Sequence, residues 1–242
     1  ILMPTLHADR TIQNCRWHPC ADAYALEQRV QEAICDAARH AIAHRSAFHI
    51  VLAGGSTPRR IYAALRDIQT DWHAWHVYFG DERCLPEAHP ERNSHMAASA
   101  WLEHVAIPAT QIHPIRCETD PAKAAAEYAQ CLRRVGSFDM VRLGLGEDGH
   151  TASLFPGQDI GDSPEASDTL VVLNAPKPPA QRVSLSAHRL SNAHQVLFMV
   201  SGESKRQAVQ NWQYGIDIPA ARITPARGVD IYLDAALLET SA

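Results

Sequence analysis

Five short apolar runs, each breaking off at a glycine or a charged turn, constrain this chain more than any other feature. They are Phe48–Leu52, Trp75–Phe79, and residues 138–143, 196–200 and 230–233. Runs of this length bounded by turn residues read as strands. The run Val-Leu-Phe-Met-Val at 196–200 has no polar side, as a strand covered on both faces requires. Between the runs lie segments with helical spacing. The clearest is 21–44, where Leu26, Val30, Ile34, Ala38 and Ala41 recur between Glu27, Arg29, Gln31 and Asp36. Further helices are predicted at 59–68, 93–103 and 121–134, and after Lys205 as far as Tyr214. An edge strand at 11–17 and a turn around Pro19 precede the first helix. Brief strands are predicted at 111–115, 170–174 and 182–186, with a polar surface loop at 158–168 and a rigid, extended PKPP segment at 176–179. Strands alternating with helices specify an α/β fold: a single doubly wound, mainly parallel sheet with helices on both faces. The 242 residues show no linker and no internal repeat, so one domain is expected.

Composition narrows the function classes. A net charge of −5 implies no basic face for nucleic acid, and any anionic substrate would need basic residues gathered locally. No apolar run approaches the ~18–20 residues of a membrane span, and no signal peptide is evident. Six cysteines without a C-x-x-C pair suggest reduced thiols in a cytosol rather than a disulfide framework. Fourteen histidines include no H-E-x-x-H. His40 and His44 stand four apart but lack a third ligand nearby, so no metal is expected.

Three turns carry the candidate chemistry. In residues 143–157, LGLGEDGHTASLFPG, three glycines allow a sharp turn that presents Glu147, Asp148 and His150 together. An imidazole there can move protons near neutral pH, and the neighbouring carboxylates could orient it. The same residues spell G-x-G-x-x-G, the dinucleotide fingerprint. Carboxylates at Glu147 and Asp148 would repel a pyrophosphate, however, and Pro156-Gly157 interrupts any long helix, so a dinucleotide is not expected. The second turn is Gly54-Gly55-Ser56-Thr57-Pro58, a glycine loop between a strand and a helix. Free amides and the positive helix end could hold an anion there; the plain alternative is a turn with Thr57 as N-cap and Pro58 at the first helical position. The third is Gly80-Asp81-Glu82-Arg83, at the carboxyl end of a strand. Its carboxylates can bind sugar hydroxyls, and Arg83 can meet a phosphate or a developing oxyanion. The loop that follows, with two prolines, reads as a mobile flap. Near the end of the chain, Lys205 sits in a first helical turn, where the dipole disfavours a cation unless a ligand needs it.

GGSTP (54–58), FGDER (79–83), RNS (92–94), GLGEDGHTASLFPG (144–157), KPPAQRVSLS (177–186) and VLFMVSGESK (196–205) together resemble the 6-phosphogluconolactonase family, in the same order along the chain. The resemblance runs from about residue 20 to residue 236. It implies a cofactor-free enzyme that hydrolyses 6-phospho-D-glucono-1,5-lactone in the oxidative pentose phosphate pathway, a monomer or weak homo-oligomer in the cytoplasm. It further implies His150 as the base toward water, with Asp81 and Arg83 beside it. Gly54, Gly55, Ser56, Thr57, Asn93, Gly149, Arg182 and Lys205 are implied as the substrate contacts. Whether Asp81, Glu147 or Asp148 orients His150 is left open.

Two rivals share parts of this pattern. Glucosamine-6-phosphate deaminases resemble the chain in GGSTP, a D-E pair and D-G-H. They continue D-E with a tyrosine, where this chain has Arg83, and follow D-G-H with an apolar-F-N-E-P run, where it has TASLFP. A phosphosugar-sensing domain of a transcriptional regulator should carry a helix-turn-helix module, and the stretch before Ala21 is too short for one.

Overall fold

The structure is a computed structural model and describes residues 12–238. In chain order the elements are β1 (Cys15–Cys20), α1 (Ala23–Arg45), β2 (Phe48–Leu52), α2 (Ser56–Ala64), β3 (Trp75–Phe79), β4 (Asp81–Arg83), α3 (Asn93–Ala100) and β5 (Ile112–His113). They continue as α4 (Pro121–Leu132), β6 (Phe138–Gly144), β7 (Thr169–Val172), β8 (Arg182–Leu185), α5 (Ala187–Ser191), β9 (Ala193–Val200), α6 (Arg206–Gln213) and β10 (Val229–Asp234).

Among the described residues seven strands form one sheet in the order β1-β10-β9-β6-β2-β3-β5, every pair parallel. Read from β5 to β10, this is the common doubly wound order with one extra strand at the far edge. Consecutive residues are buried along β2 (Ile50, Val51, Leu52), β6 (residues 138–143) and the second half of β9, so the sheet is covered on both faces. Parallel strands need crossovers, and α1, α2, α4 and α6 supply them. Asp139 ties one crossover down. Its buried carboxylate accepts from Arg45 at the end of α1 (Nε 2.8 Å) and from the His49 amide at the start of β2 (2.7 Å).

The sequence expectation needs several corrections. The first strand is an edge strand as expected, but it covers Cys15–Cys20, so Pro19 lies inside it and not in a turn; Thr11 lies outside the described residues. A proline is tolerated there because β1 has a single partner, β10. A second sheet, absent from the expectation, has the order β4-β8-β7 and is antiparallel. Residues 81–83, read as a loop, form its edge, with Arg83 opposite Arg182. The predicted helix at 59–68 begins earlier, at Ser56, and breaks into a 3-10 turn at Leu65–Asp67.

The segment 84–96, expected as a flap, ends in helix α3 from Asn93 and is anchored at Arg92. Arg92 is fully buried, and its guanidinium donates to Glu118, to the Ile115 carbonyl (2.7 Å) and to the Leu85 carbonyl (3.3 Å). Beside it Glu82, also fully buried, accepts the amides of Asn93 and Ser94 at 2.8 Å each, placing a carboxylate at the positive end of α3. Removing one member of a buried charge pair strands the other. Arg92→Met should therefore lower the unfolding free energy by ~3–5 kcal/mol in a urea titration.

Three imidazoles lie across adjacent strands at the amino ends of β2 and β3 and on β5. His49 stacks on His76 (4.6 Å between centroids), Tyr78 stacks on His113 (4.5 Å), and the Tyr78 hydroxyl lies 3.4 Å from His49 Nδ1. Among the described residues no group of three His, Cys, Asp or Glu is placed to hold a metal ion. Burial pushes all three histidines below the usual imidazole range, and neighbouring His76 adds to the effect on His49 and His113. The unfolded chain therefore binds protons that the folded one refuses as pH falls through the ordinary histidine range. Thermal unfolding should show a lower Tm at pH 5.5 than at pH 7.5, well above the range where carboxylates titrate, and His76→Gln should flatten that slope. Each unit of pKa depression is worth ~1.4 kcal/mol.

Candidate active site

The carboxyl ends of β2, β3 and β6 open into one cleft of about 950 Å3. Chain order reverses between β2 and β6, and loops leaving such a point diverge to form a crevice. On one wall the chain leaves β2 through Gly54 and Gly55 and enters α2. A Cβ on Gly54 would lie 1.9 Å from Asn93 Oδ1, so only glycine lets Asn93 approach. Gly55 is the N-cap of α2 with φ +116° and no side-chain cap. The first amides of the helix thus meet no capping side chain, the usual condition for anion binding. Pro58 falls within the first turn, where its missing N–H belongs to a position with no intrahelical partner anyway.

On the other wall is the turn after β6. The Gly146 amide donates to the His150 carbonyl (2.7 Å) and Thr151 Oγ1 to the Gly144 carbonyl (2.8 Å), closing the turn on itself. A Cβ at Gly146 would fall 2.0 Å from His150 Nδ1, so this glycine makes the space in which the imidazole lies. The ring packs against Phe155 (4.8 Å) and its Nδ1 lies 2.5 Å from Asp148 Oδ1, which also accepts the His150 amide (3.1 Å). Asp148 is therefore the carboxylate that orients the histidine. Burial pushes the Asp148 carboxyl up, but the hydrogen bonds from His150 outweigh it and hold the carboxylate below its ordinary range. In the tautomer that carries its proton on Nδ1, toward Asp148, Nε2 holds the lone pair. The side chain is 21% exposed, so it sits in neither a dry core nor open solvent.

The remaining expected residues separate into two groups. Gly54, Gly55, Ser56, Asp81, Arg83, Asn93, His150, Arg182 and Lys205 all line the cleft. Thr57 and Gly149 do not. Thr57 is carried into the first turn of α2, and Gly149 (φ +85°) packs against Ile218, where a Cβ would come within 2.6 Å of the isoleucine side chain. Glu82, offered for sugar hydroxyls, points into the protein and caps α3. Glu147 lies outside, 3.8 Å from Lys177 Nζ. Asp81 is held by Asn93 Nδ2 (3.0 Å) and by the Ser153 hydroxyl (2.6 Å), one on each carboxylate oxygen. Arg83 donates to the Glu91 carbonyl (2.9 Å), and Arg182 to the carbonyls of Lys177 and Pro179 (2.9 and 3.2 Å). Burial pushes the Arg182 guanidinium down, and Asp81 partly restores it.

Sequence reasoning missed Ser153 as a partner of Asp81, and it counted Gly146 as a turn glycine without foreseeing that it makes room for His150. It also missed the full extent of the positive charge. Arg59, Arg60, Arg83, Arg92, Arg142, Lys177, Arg182 and Lys205 border the cleft, against Asp81 and Glu91. On a chain of net charge −5, that concentration favours an anionic ligand. Arg142 had a visible signal: it is the one basic residue inside the apolar run 138–143.

A family model described as glucosamine-6-phosphate isomerases/6-phosphogluconolactonase matches residues 21–232. A 6-phosphogluconolactonase of Nostoc sp. is 36% identical over 197 residues, covering 78% of this chain and 80% of that protein. One of Haemophilus influenzae is 35% identical over 200 residues, covering 78% and 85%. The solved 6-phosphogluconolactonase of Trypanosoma brucei superposes with a TM-score of 0.84 at 26% identity, covering 95% of this chain and all of that one. The chain is a member of the glucosamine-6-phosphate isomerase/6-phosphogluconolactonase family.

Proposed function

We propose that this protein hydrolyses 6-phospho-D-glucono-1,5-lactone to 6-phospho-D-gluconate, with His150 as general base. The observation that carries the reading is one cleft that holds a carboxylate-oriented imidazole and an uncapped helix N-terminus with a lysine. A phosphorylated lactone needs both: a base for water at one end and an anchor for the phosphate at the other. His150 Nε2 takes a proton from water as the water oxygen bonds to C1. The C1 oxygen becomes an oxyanion, which a guanidinium of Arg83 or Arg182 can stabilise. The tetrahedral species collapses by breaking the bond from C1 to the ring oxygen, and the imidazolium returns its proton to that oxygen. Asp148 holds the ring and its tautomer throughout. Ser56, the amides after Gly55 and Lys205 grip the phosphate, while Asp81 and Asn93 form a fixed polar wall for the sugar hydroxyls.

Relatives named 6-phosphogluconolactonase over most of their length support the substrate. The tripeptide Asp81-Glu82-Arg83 and the TASLFP run after His150 support hydrolysis over deamination of glucosamine 6-phosphate. Six free thiols accord with a cytosolic setting.

His150→Ala should lower kcat by ~10²–10⁴ with little change in KM, the scale of a lost general base. Asp148→Asn should lower kcat while leaving the histidine in place, since an amide supports the imidazolium less well. Unchanged kcat in both variants would remove this pair from the mechanism. Lys205→Ala should raise KM for the phosphorylated lactone and leave turnover of D-glucono-1,5-lactone nearly as it was. Equal loss on both substrates would show that Lys205 does not anchor phosphate.

A further inference from the structure

Arg142 is a buried cation without a counter-ion. It lies on β6 with no exposed surface, and its Nε and Nη1 have no hydrogen-bond partner. Nη2 meets only the thioether of Met199 on β9 (2.7 Å), and the guanidinium stacks over the ring of Tyr62 on α2 at 4.7 Å. Among the described residues no carboxylate pairs with it. Burial pushes its pKa down, and no carboxylate offsets that effect. An isolated buried charge is costly, and a single cation–π contact does not offset that cost in full. Folding alone therefore gives no reason for an arginine at this position.

Its place in the fold gives one. Tyr62, on which it stacks, uses its hydroxyl to hold both the amide (3.1 Å) and the carbonyl (2.8 Å) of Ala53, the residue before Gly54. Arg142 also borders the cleft alongside Gly54, Gly55 and Ser56. The uncapped end of α2 and the unpaired guanidinium thus border the same cleft from two different elements, the guanidinium with no surface exposed in it.

We infer that Arg142 is a specificity-determining residue that tunes the glycine-loop subsite for a phosphate dianion, acting from beneath the loop through its charge. This rests on the phosphosugar reading of the cleft. In a medium of low dielectric an anion arriving at the α2 terminus supplies the missing counter-charge, and an uncharged ligand supplies none. The protein carries the cost of the cation when empty and recovers it when the phosphate binds.

The test measures stability and binding together in Arg142→Met and Arg142→Lys, with inorganic phosphate as probe. Arg142→Met replaces the charge by an apolar chain of similar length, so the ligand-free Tm should rise. Phosphate should bind ~10–100-fold more weakly by calorimetry, and its stabilising shift in Tm should shrink. KM for 6-phosphogluconolactone should rise in parallel, and by a larger factor than KM for D-glucono-1,5-lactone. Arg142→Lys keeps the charge and should keep most of the phosphate affinity. The inference is overturned if Arg142→Met binds phosphate as the wild type does, or if it lowers Tm or fails to fold, since the arginine would then serve packing. A wild-type protein that binds phosphate through Arg142 yet hydrolyses no lactone would refute the proposed reaction and leave this inference standing.

Discussion

The site depends on the parallel pairing of β2 with β6, registered at Ile50 with Met140 and Val51 with Val141. These strands are far apart in sequence and adjacent in the sheet, and the chain departs from them in opposite directions. The β2 exit becomes the glycine loop and α2; the β6 exit becomes the histidine turn. A register slip of one residue would invert which side chains of β6 face each layer, turning Arg142 away from Tyr62. The buried runs on both strands and the Asp139 clamp between α1 and β2 make such a slip costly. Chemistry at one end of the sheet thus rests on apolar packing along its length.

Within that frame each wall is set by glycines whose roles differ. Gly55 supplies a backbone angle that L side chains rarely adopt, and Gly54 and Gly146 supply room. Gly146 and Asp148 act as a unit, since the first vacates the space that the imidazole enters and the second fixes the ring once there. Residue Gly149, by contrast, serves the turn and its packing on Ile218. Glycine-rich motifs mix such roles, which is why a motif match overstates the number of residues that touch a ligand.

How much of this was legible in the sequence follows from the kind of signal each feature leaves. Strands such as Phe48–Leu52 and Trp75–Phe79 announce themselves because burial on both faces demands an unbroken apolar run. Two strands of the small antiparallel sheet, β7 and β8, are predicted as brief runs at 170–174 and 182–186, but nothing marks them as a separate sheet or reveals β4 as its edge. Residues 81–83 are three charged side chains, and β4 exists through its pairing with β8, which lies about a hundred residues later in sequence. The start of α2 was misplaced at residue 59 because Ser56, Thr57 and Pro58 were read as part of the loop, although the first helical turn tolerates proline wherever an N–H is not needed. The cleft residues came from motif chemistry and mostly converged as expected. The partner of His150 could not be read, because Glu147 and Asp148 are sequence neighbours and only the turn decides which faces the ring.

The disposition of carboxylates then bears on the charge of the cleft. Asp81, Glu82, Glu147 and Asp148 sit in two of the key motifs, and an anionic substrate would be repelled by most placements of them. Glu82 is turned inward to cap α3, and Glu147 is turned outward toward Lys177. Asp148 is spent on the histidine, and Asp81 is bound at both oxygens by Asn93 and Ser153. The surrounding arginines and lysines are left without carboxylates of their own at close range, apart from Arg60 with Glu27, Arg92 with Glu82 and Glu118, and Lys177 with Glu147. Like charges gathered this way repel, which favours an anionic ligand in the cleft. A preference for anions in this cleft is therefore built less from added contacts than from where the chain has placed its own carboxylates.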